Sequence, residues 1–318
     1  MGSLRTGFDA IAGNVGVLLM PLALDLLLWL GPHLSLERLM KPVLTSNFNT
    51  LVSVYGFKAD DIKGSVDASS QFLQQFNLLG ILRTFPIGIS SLMSGNMPTV
   101  TPWGSAPTME IASPANVLGL TLLLILAGWI LGGLYFRWVA ALAIPELTAD
   151  HQPGAGRAIL QTVIYAAFWS IISWVVGIPL SILLLVLLAI NGAIAQGVLL
   201  LLGFLSMWLV VPIFFSPHGI FVRKQSALTS ILSGFEMTRF TLPTSSLFVL
   251  VVFLLGVGLN YLWSRPATDS WLVLVGIFGH AFITTALLAS SFVYYNNMTV
   301  WLQTALARLR AGLPGQQA

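Results

Sequence analysis

Two ionisable side chains, Asp25 and His280, stand inside long apolar runs of this chain. A charge at the centre of a bilayer costs at least about 2.5–3.5 kcal/mol on insertion scales, so each must face protein or water. Asp25 lies six residues from Gly31 at the end of its run, and His280 nine residues from Trp271 at the start of its own. At 1.5 Å per residue their depths differ by about 4–5 Å. The two can pair if their helices are neighbours. As a functional pair they would relay protons or anchor a substrate. As packing groups they would form an interhelical hydrogen bond, or Asp25 would reach the interface uncharged.

Other chemistry is sparse. Arg223 and Lys224 follow Phe214-Phe215-Ser216-Pro217-His218. They suit anionic lipid head groups, at about 1 kcal/mol each near a membrane surface, or serve as plain charge anchors. Gly177 and Pro179 interrupt the third apolar run, where a kink would expose carbonyls or let a long helix fit. The four histidines, His33, His151, His218 and His280, lack metal-ligand spacing, and there is no cysteine for a disulfide, thiolate zinc or iron–sulfur site. No phosphate loop, Gly-x-Ser-x-Gly elbow or His-Glu-x-x-His motif occurs. The residues point to no cofactor and no enzyme. With a net charge of +3 and no basic run, they point to no nucleic-acid partner.

The elements that must position these residues are membrane helices. Hydrophobic residues make up 56% of the 318 and charged ones 8%, against about 25% charged in a soluble domain. Apolar stretches cover roughly 12–31, 116–136, 158–190, 193–215, 243–264 and 271–293. About 20 apolar residues cross a hydrocarbon core, and without period-two alternation such runs are helices. The expectation is an all-α polytopic membrane bundle of six spans. Residues 1–31 form an interfacial helix and first span, 32–115 an extracytoplasmic segment, 116–298 five further spans and 299–318 a cytoplasmic tail. Arg5 and the apolar run after it mimic a signal peptide. The run is long for a signal core and lacks a small-x-small cleavage site, so it reads as a retained span.

With the N-terminus cytoplasmic, the inner segments carry eight basic residues, and the two short outer connections carry one, Arg265. That bias places both termini in the cytoplasm of a cell that holds this protein in its plasma membrane. Trp29, Trp263 and Trp271 fall at outer boundaries, and Trp138 and Trp301 at inner ones, as an aromatic belt does.

A short internal repeat accompanies the spans. Ser3-Leu4-Arg5-Thr6-Gly7-Phe8-Asp9 matches Ser230-Ile231-Leu232-Ser233-Gly234-Phe235-Glu236, each just ahead of a span. Leu4, Phe8, Ile11 and Val15 share a helical face, as do Leu228, Ile231, Leu232 and Phe235. Such amphipathic elbows lie along the membrane surface. Residues 157–165 hold the same place before the third span, which suggests three elbow-plus-span-pair units. In 32–115, residues 36–51 and 60–79 follow helical spacing, with Pro42 breaking or starting the first helix and Asp60 and Asp61 opening the second. Turn residues from Phe85-Pro86 to Ala106-Pro107 follow. This outer helical segment is a lid, a docking surface or a cap.

The six spans, the elbow before the fifth and Tyr294-Tyr295-Asn296 ending the sixth resemble a loose group of prokaryotic membrane proteins, those called glycerophosphoryl-diester-phosphodiesterase membrane-domain-like. The resemblance covers mainly 155–300 and implies an integral membrane role. The phosphodiesterase activity of fused members needs a soluble barrel with clustered acidic residues, which this sequence lacks, and 32–115 departs from the pattern. The leading expectation is a non-enzymatic membrane protein that organises lipids or partner subunits. The alternative is a small-solute or lipid transporter with a site between span pairs near Asp25 and His280.

Overall fold

The structure, a computed structural model, describes residues 2–53, 59–146 and 153–311, so His151 and the end of the tail lie outside it. Helix α1 (Gly2–Ala12) is followed by a 3-10 turn (Val15–Leu18) and α2 (Leu19–Leu30). The outer segment holds β1 (His33–Ser35), α3 (Glu37–Ser53), α4 (Ala59–Gln75), a 3-10 turn (Leu78–Leu82), α5 (Met93–Asn96), β2 (Val100–Thr101), β3 (Gly104–Ser105) and β4 (Thr108–Glu110). Then come α6 (Pro114–Ala143), α7 (Ala155–Ile190), α8 (Gly192–Phe215), α9 (His218–Val222), α10 (Ala227–Trp263) and α11 (Val273–Ala311).

The all-α polytopic bundle is present. Among the described residues, five stretches are long and apolar enough to cross a membrane: α6, α7, α8 with α9, α10 and α11. Gly2–Ala12 and Val15–Leu30 together pass the same test but are bent by 86°. The first span is thus shorter than 12–31. Its membrane leg is Val15–Leu30, about 24 Å of helix. The chain turns at Asn14, whose φ of −138° and ψ of 57° are not helical.

The repeat has a structural counterpart. Asn14 stands seven residues after Gly7, and Thr241 seven after Gly234; Thr241 is the non-helical break inside α10, with φ −121° and ψ 17°. Pro243 follows that break and has no N–H to continue the ladder. Each repeat glycine also marks a close helix approach. A Cβ on Gly7 would strike the backbone of Ser290 on α11, and one on Gly234 would lie 2.8 Å from Ser216 Cα at the end of α8. Gly133 of α6 meets Thr162 of α7 in the same manner, 2.7 Å from a built Cβ to Thr162 Oγ1. Each elbow therefore packs closely on a neighbouring span, α7 on α6, α10 on the end of α8 and α1 on α11.

Other expectations need correction. Leu4, Phe8 and Ile11 face α11, but Val15 is 57% exposed. On α10, Ile231 and Phe235 turn inward while Leu228 and Leu232 are exposed, so that face is split between protein and surroundings. Helix α3 runs through Pro42, and α7 runs unbroken through Gly177 and Pro179. The sixth span continues as one helix to Ala311, through most of the expected tail. Trp29 is no surface belt residue. It is fully buried, donates to the Thr268 carbonyl at 2.8 Å and packs edge-on against Trp271.

The outer segment does not lie as a simple cap. Its ends are joined by a parallel pairing of β1 with β4, His33 opposite Thr108. No described side chain of α3 is buried, and Leu73 is the buried one of α4, so these helices pack on each other rather than over the bundle. Residues 78–93 enter the bundle instead.

Candidate intramembrane site

Asn77 starts the inward path. Its Oδ1 accepts from Leu79 N and Leu34 N, each at 3.1 Å, which caps the 3-10 turn and ties it to β1. The chain then runs irregularly from Arg83 to Ser91. Thr84 Oγ1 donates to the Ile87 carbonyl at 2.8 Å, Ile87 is fully buried, and the Phe85–Pro86 bond is cis. Gly88 lies against α6: a Cβ on Gly132 would sit 2.8 Å from Gly88 Cα, and one on Gly128 would sit 2.7 Å from the Leu82 carbonyl oxygen. Gly128-x-x-x-Gly132 thus lets backbone meet backbone, here a helix and a loop rather than two helices. Gly132 is about 27 Å along α6 from Pro114, so the segment penetrates deeply. Irregular backbone at such depth is tolerated where protein covers it or it lines a cavity; Ile87 and Ile89 are covered, whereas Arg83 and Phe85 are exposed.

Asp25 holds the returning strand of this re-entrant segment. Its carboxylate accepts from Ser91 Oγ at 2.6 Å, Met93 N at 3.0 Å and Leu92 N at 3.2 Å. It is fully buried and satisfies N–H groups at the start of α5 that have no intrahelical acceptor. The expected pairing with His280 does not form. The carboxylate is committed to 91–93, and His280 Nε2 is buried without a hydrogen-bond partner. Similar depth along two helices does not turn their side chains toward each other. Arg83 lies within electrostatic reach of both.

Helix α11 is the post on which the other elements hang, through a stripe of hydroxyls. Thr284 Oγ1 meets Ser90 Oγ at 2.7 Å, and Thr285 Oγ1 meets the Tyr135 hydroxyl of α6 at 2.7 Å. Ser290 Oγ donates to the Leu4 carbonyl at 3.2 Å, and Ser291 Oγ meets His218 Nε2 at 2.7 Å. Tyr294 and Tyr295 meet Ser245 and Ser233 of α10 at 3.3 Å and 3.1 Å. Tyr294 also stacks on Phe248, with ring centroids 4.2 Å apart. Thr284, Thr285, Ser290 and Ser291 escaped the sequence reading, because hydroxyls scattered along an apolar run look neutral, and Tyr294-Tyr295 entered it without a partner. Their i, i+1 pairs, Thr284-Thr285, Ser290-Ser291 and Tyr294-Tyr295, were the available signal.

A cavity of about 340 Å³ lies beside the re-entrant tip, reached by Phe85 and Pro86 and by Tyr165, His218, Thr284 and Ser291. Tyr165 hydrogen-bonds Ser216 across α7 and α8. Neither Asp25 nor His280 lines it.

Arg223 and Lys224 form the turn between α9 and α10, where Lys224 takes a left-handed φ of 52°. Arg157 Nη2 braces that turn by donating to the Lys224 carbonyl at 2.7 Å, and Arg223 Nη2 reaches Gln303 Oε1 at 3.5 Å. Arg137 Nε donates to the Pro153 carbonyl at 2.7 Å in the loop that leads to α7. Arg137 and Arg157 thus brace connecting turns. Comparison with protein-family models, with curated proteins and with solved structures finds no match to this integral membrane chain.

Proposed function

We propose that this protein is a non-enzymatic, multi-pass component of the plasma membrane, with both termini cytoplasmic, that organises lipids or partner subunits around itself. The observation that carries this reading is the α7–α8 hairpin. No Asp, Glu, Lys or Arg occurs between Arg157 and Arg223. Across residues 167–210 only Ala195 is buried. Two long helices that show apolar side chains on every face need hydrocarbon tails or another membrane protein to cover them. Arg223 and Lys224, at the turn beyond this hairpin, add a place for anionic head groups. The committed carboxylate of Asp25 suits a clasp better than a carrier. The alternative, transport of a small solute or lipid past Asp25 and His280, draws on the unpaired Nε2 of His280.

Complementation of a deletion strain at matched protein abundance separates the two. Under the proposal, His280→Gln and Asp25→Asn rescue the deletion strain in proportion to the folded protein. Replacing Leu185, Leu200 and Trp208 on the hairpin with Ser abolishes rescue. Loss of rescue by His280→Gln at normal abundance, with the hairpin variant still active, transfers the case to transport.

A further inference from the structure

The cavity beside the re-entrant tip has the chemistry of a ligand site. Its volume, about 340 Å³, falls within the ~300–1,000 Å³ of small-molecule pockets. It holds about eleven groups the size of a water, enough for a segment of one hydrocarbon chain. Phe85, Phe214, Val252 and Leu287 are among its apolar walls. No Asp, Glu, Lys or Arg lines it, so a charged ligand group there would be stranded without a counter-ion. Its polar groups are neutral oxygens and one imidazole: Tyr165, His218, Thr284 and Ser291. His218 and Ser291 bond each other at 2.7 Å, and the hydroxyls keep capacity for a further partner. Phe85 is 75% exposed although it sits at the tip of a segment whose neighbour Ile87 is fully buried. At Gly256 a Cβ would meet nothing nearer than Leu287 Cδ1 at 3.9 Å, so this wall is set back.

We propose that this cavity binds one hydrocarbon chain bearing a neutral hydroxyl or carbonyl group, with the polar group at His218, Ser291 and Tyr165 and the chain along Phe85, Val252 and Leu287. An ester-linked acyl chain of a bilayer phospholipid and a free monoacylglycerol share this chemistry. The inference rests on the reading of the chain as a lipid-organising membrane protein.

The test is photolabelling of the full-length protein in phosphatidylethanolamine–phosphatidylglycerol vesicles. One arm carries a phosphatidylcholine with a diazirine in one acyl chain, and the other a monoacylglycerol with the same chain. The proposal expects several-fold more adduct at Phe85, Val252 and Leu287 than at Leu185 and Leu200 on the open hairpin. Gly256→Phe, which fills the cavity, should remove that excess, as should Val252→Phe, an independent filling variant should the first fail to fold. His218→Phe should weaken labelling by the monoacylglycerol. Excess labelling in either arm supports the site, and the arm that labels identifies the source. Hairpin labelling without cavity excess, or an excess that survives both filled variants, overturns the site and leaves the lipid-organising reading intact. Labelling at neither place overturns both.

Discussion

Ser91 Oγ donates to the Asp25 carboxylate at 2.6 Å, joining a loop that follows the outer helices to the middle of the first membrane leg. With Leu92 N and Met93 N on the same carboxylate, this contact closes the re-entrant segment. It turns an ionisable residue that looked like a candidate carrier into a clasp.

Removal of the clasp should therefore be costly. Asp25→Ala leaves three buried donors unpaired, at about 1–3 kcal/mol for each such group. Asp25→Asn keeps one acceptor oxygen and should lose less. His280→Leu removes an atom that has no partner, and should leave thermal stability in detergent unchanged or raised. Melting temperatures of the three variants check this ordering.

The repeat glycines should tolerate no side chain. Gly7→Ala drives a methyl into the backbone of Ser290, and Gly234→Ala drives one toward Ser216 Cα. Overpacking of this kind costs about 1–3 kcal/mol. Gly197→Ala on α8, where a Cβ meets nothing within 4 Å, is the control and should be neutral or stabilising. Thermal unfolding of the three variants reads the difference.

The spans were legible because length and apolarity are local properties of the sequence, as 193–215 against the α8 bounds of 192 and 215 illustrates. The elbows were legible because Gly7 and Gly234 sit in matched heptapeptides. The path of 78–93 was not. Its start read as the end of a surface helix and its stretch from Phe85-Pro86 as turns, and what draws it inward is Gly128 and Gly132 on a later helix. Asp25 was found and its partner misassigned, since counting residues gives depth along a helix and leaves its rotation open.

Acid should loosen the outer segment through His33, which lies outside the spans. Burial holds its pKa below the usual value, against the opposing influence of the Phe76 backbone and Glu110. The unfolded chain then binds the proton more readily than the folded one. The stability is complete above about pH 6.5 and is lost as pH falls below it. Unfolding measured from pH 8 to pH 5 should show this decline, and His33→Gln should flatten it.

Orientation is open to a simple chemical test, because the chain has no cysteine of its own. Single cysteines at Ser46, Ser70 and Ser105 should react with an impermeant thiol reagent applied to intact cells, and one at Ser226 should not. The reverse pattern would invert the topology.

The re-entry of residues 83–91 is tested most directly by a pair of cysteines at Ser90 and Thr284, whose hydroxyl oxygens are 2.7 Å apart. A disulfide needs about 3.8 Å between Cβ atoms, and the two hydroxyls in contact put these side chains face to face. In membranes treated with a mild oxidant, the double variant should form an intramolecular disulfide in high yield. The Ser90→Cys single variant should resist the impermeant reagent that labels Ser70→Cys. A Ser90→Cys thiol that reacts as fast as Ser70→Cys, with no disulfide to Thr284→Cys, would place the segment outside the bundle and contradict the account.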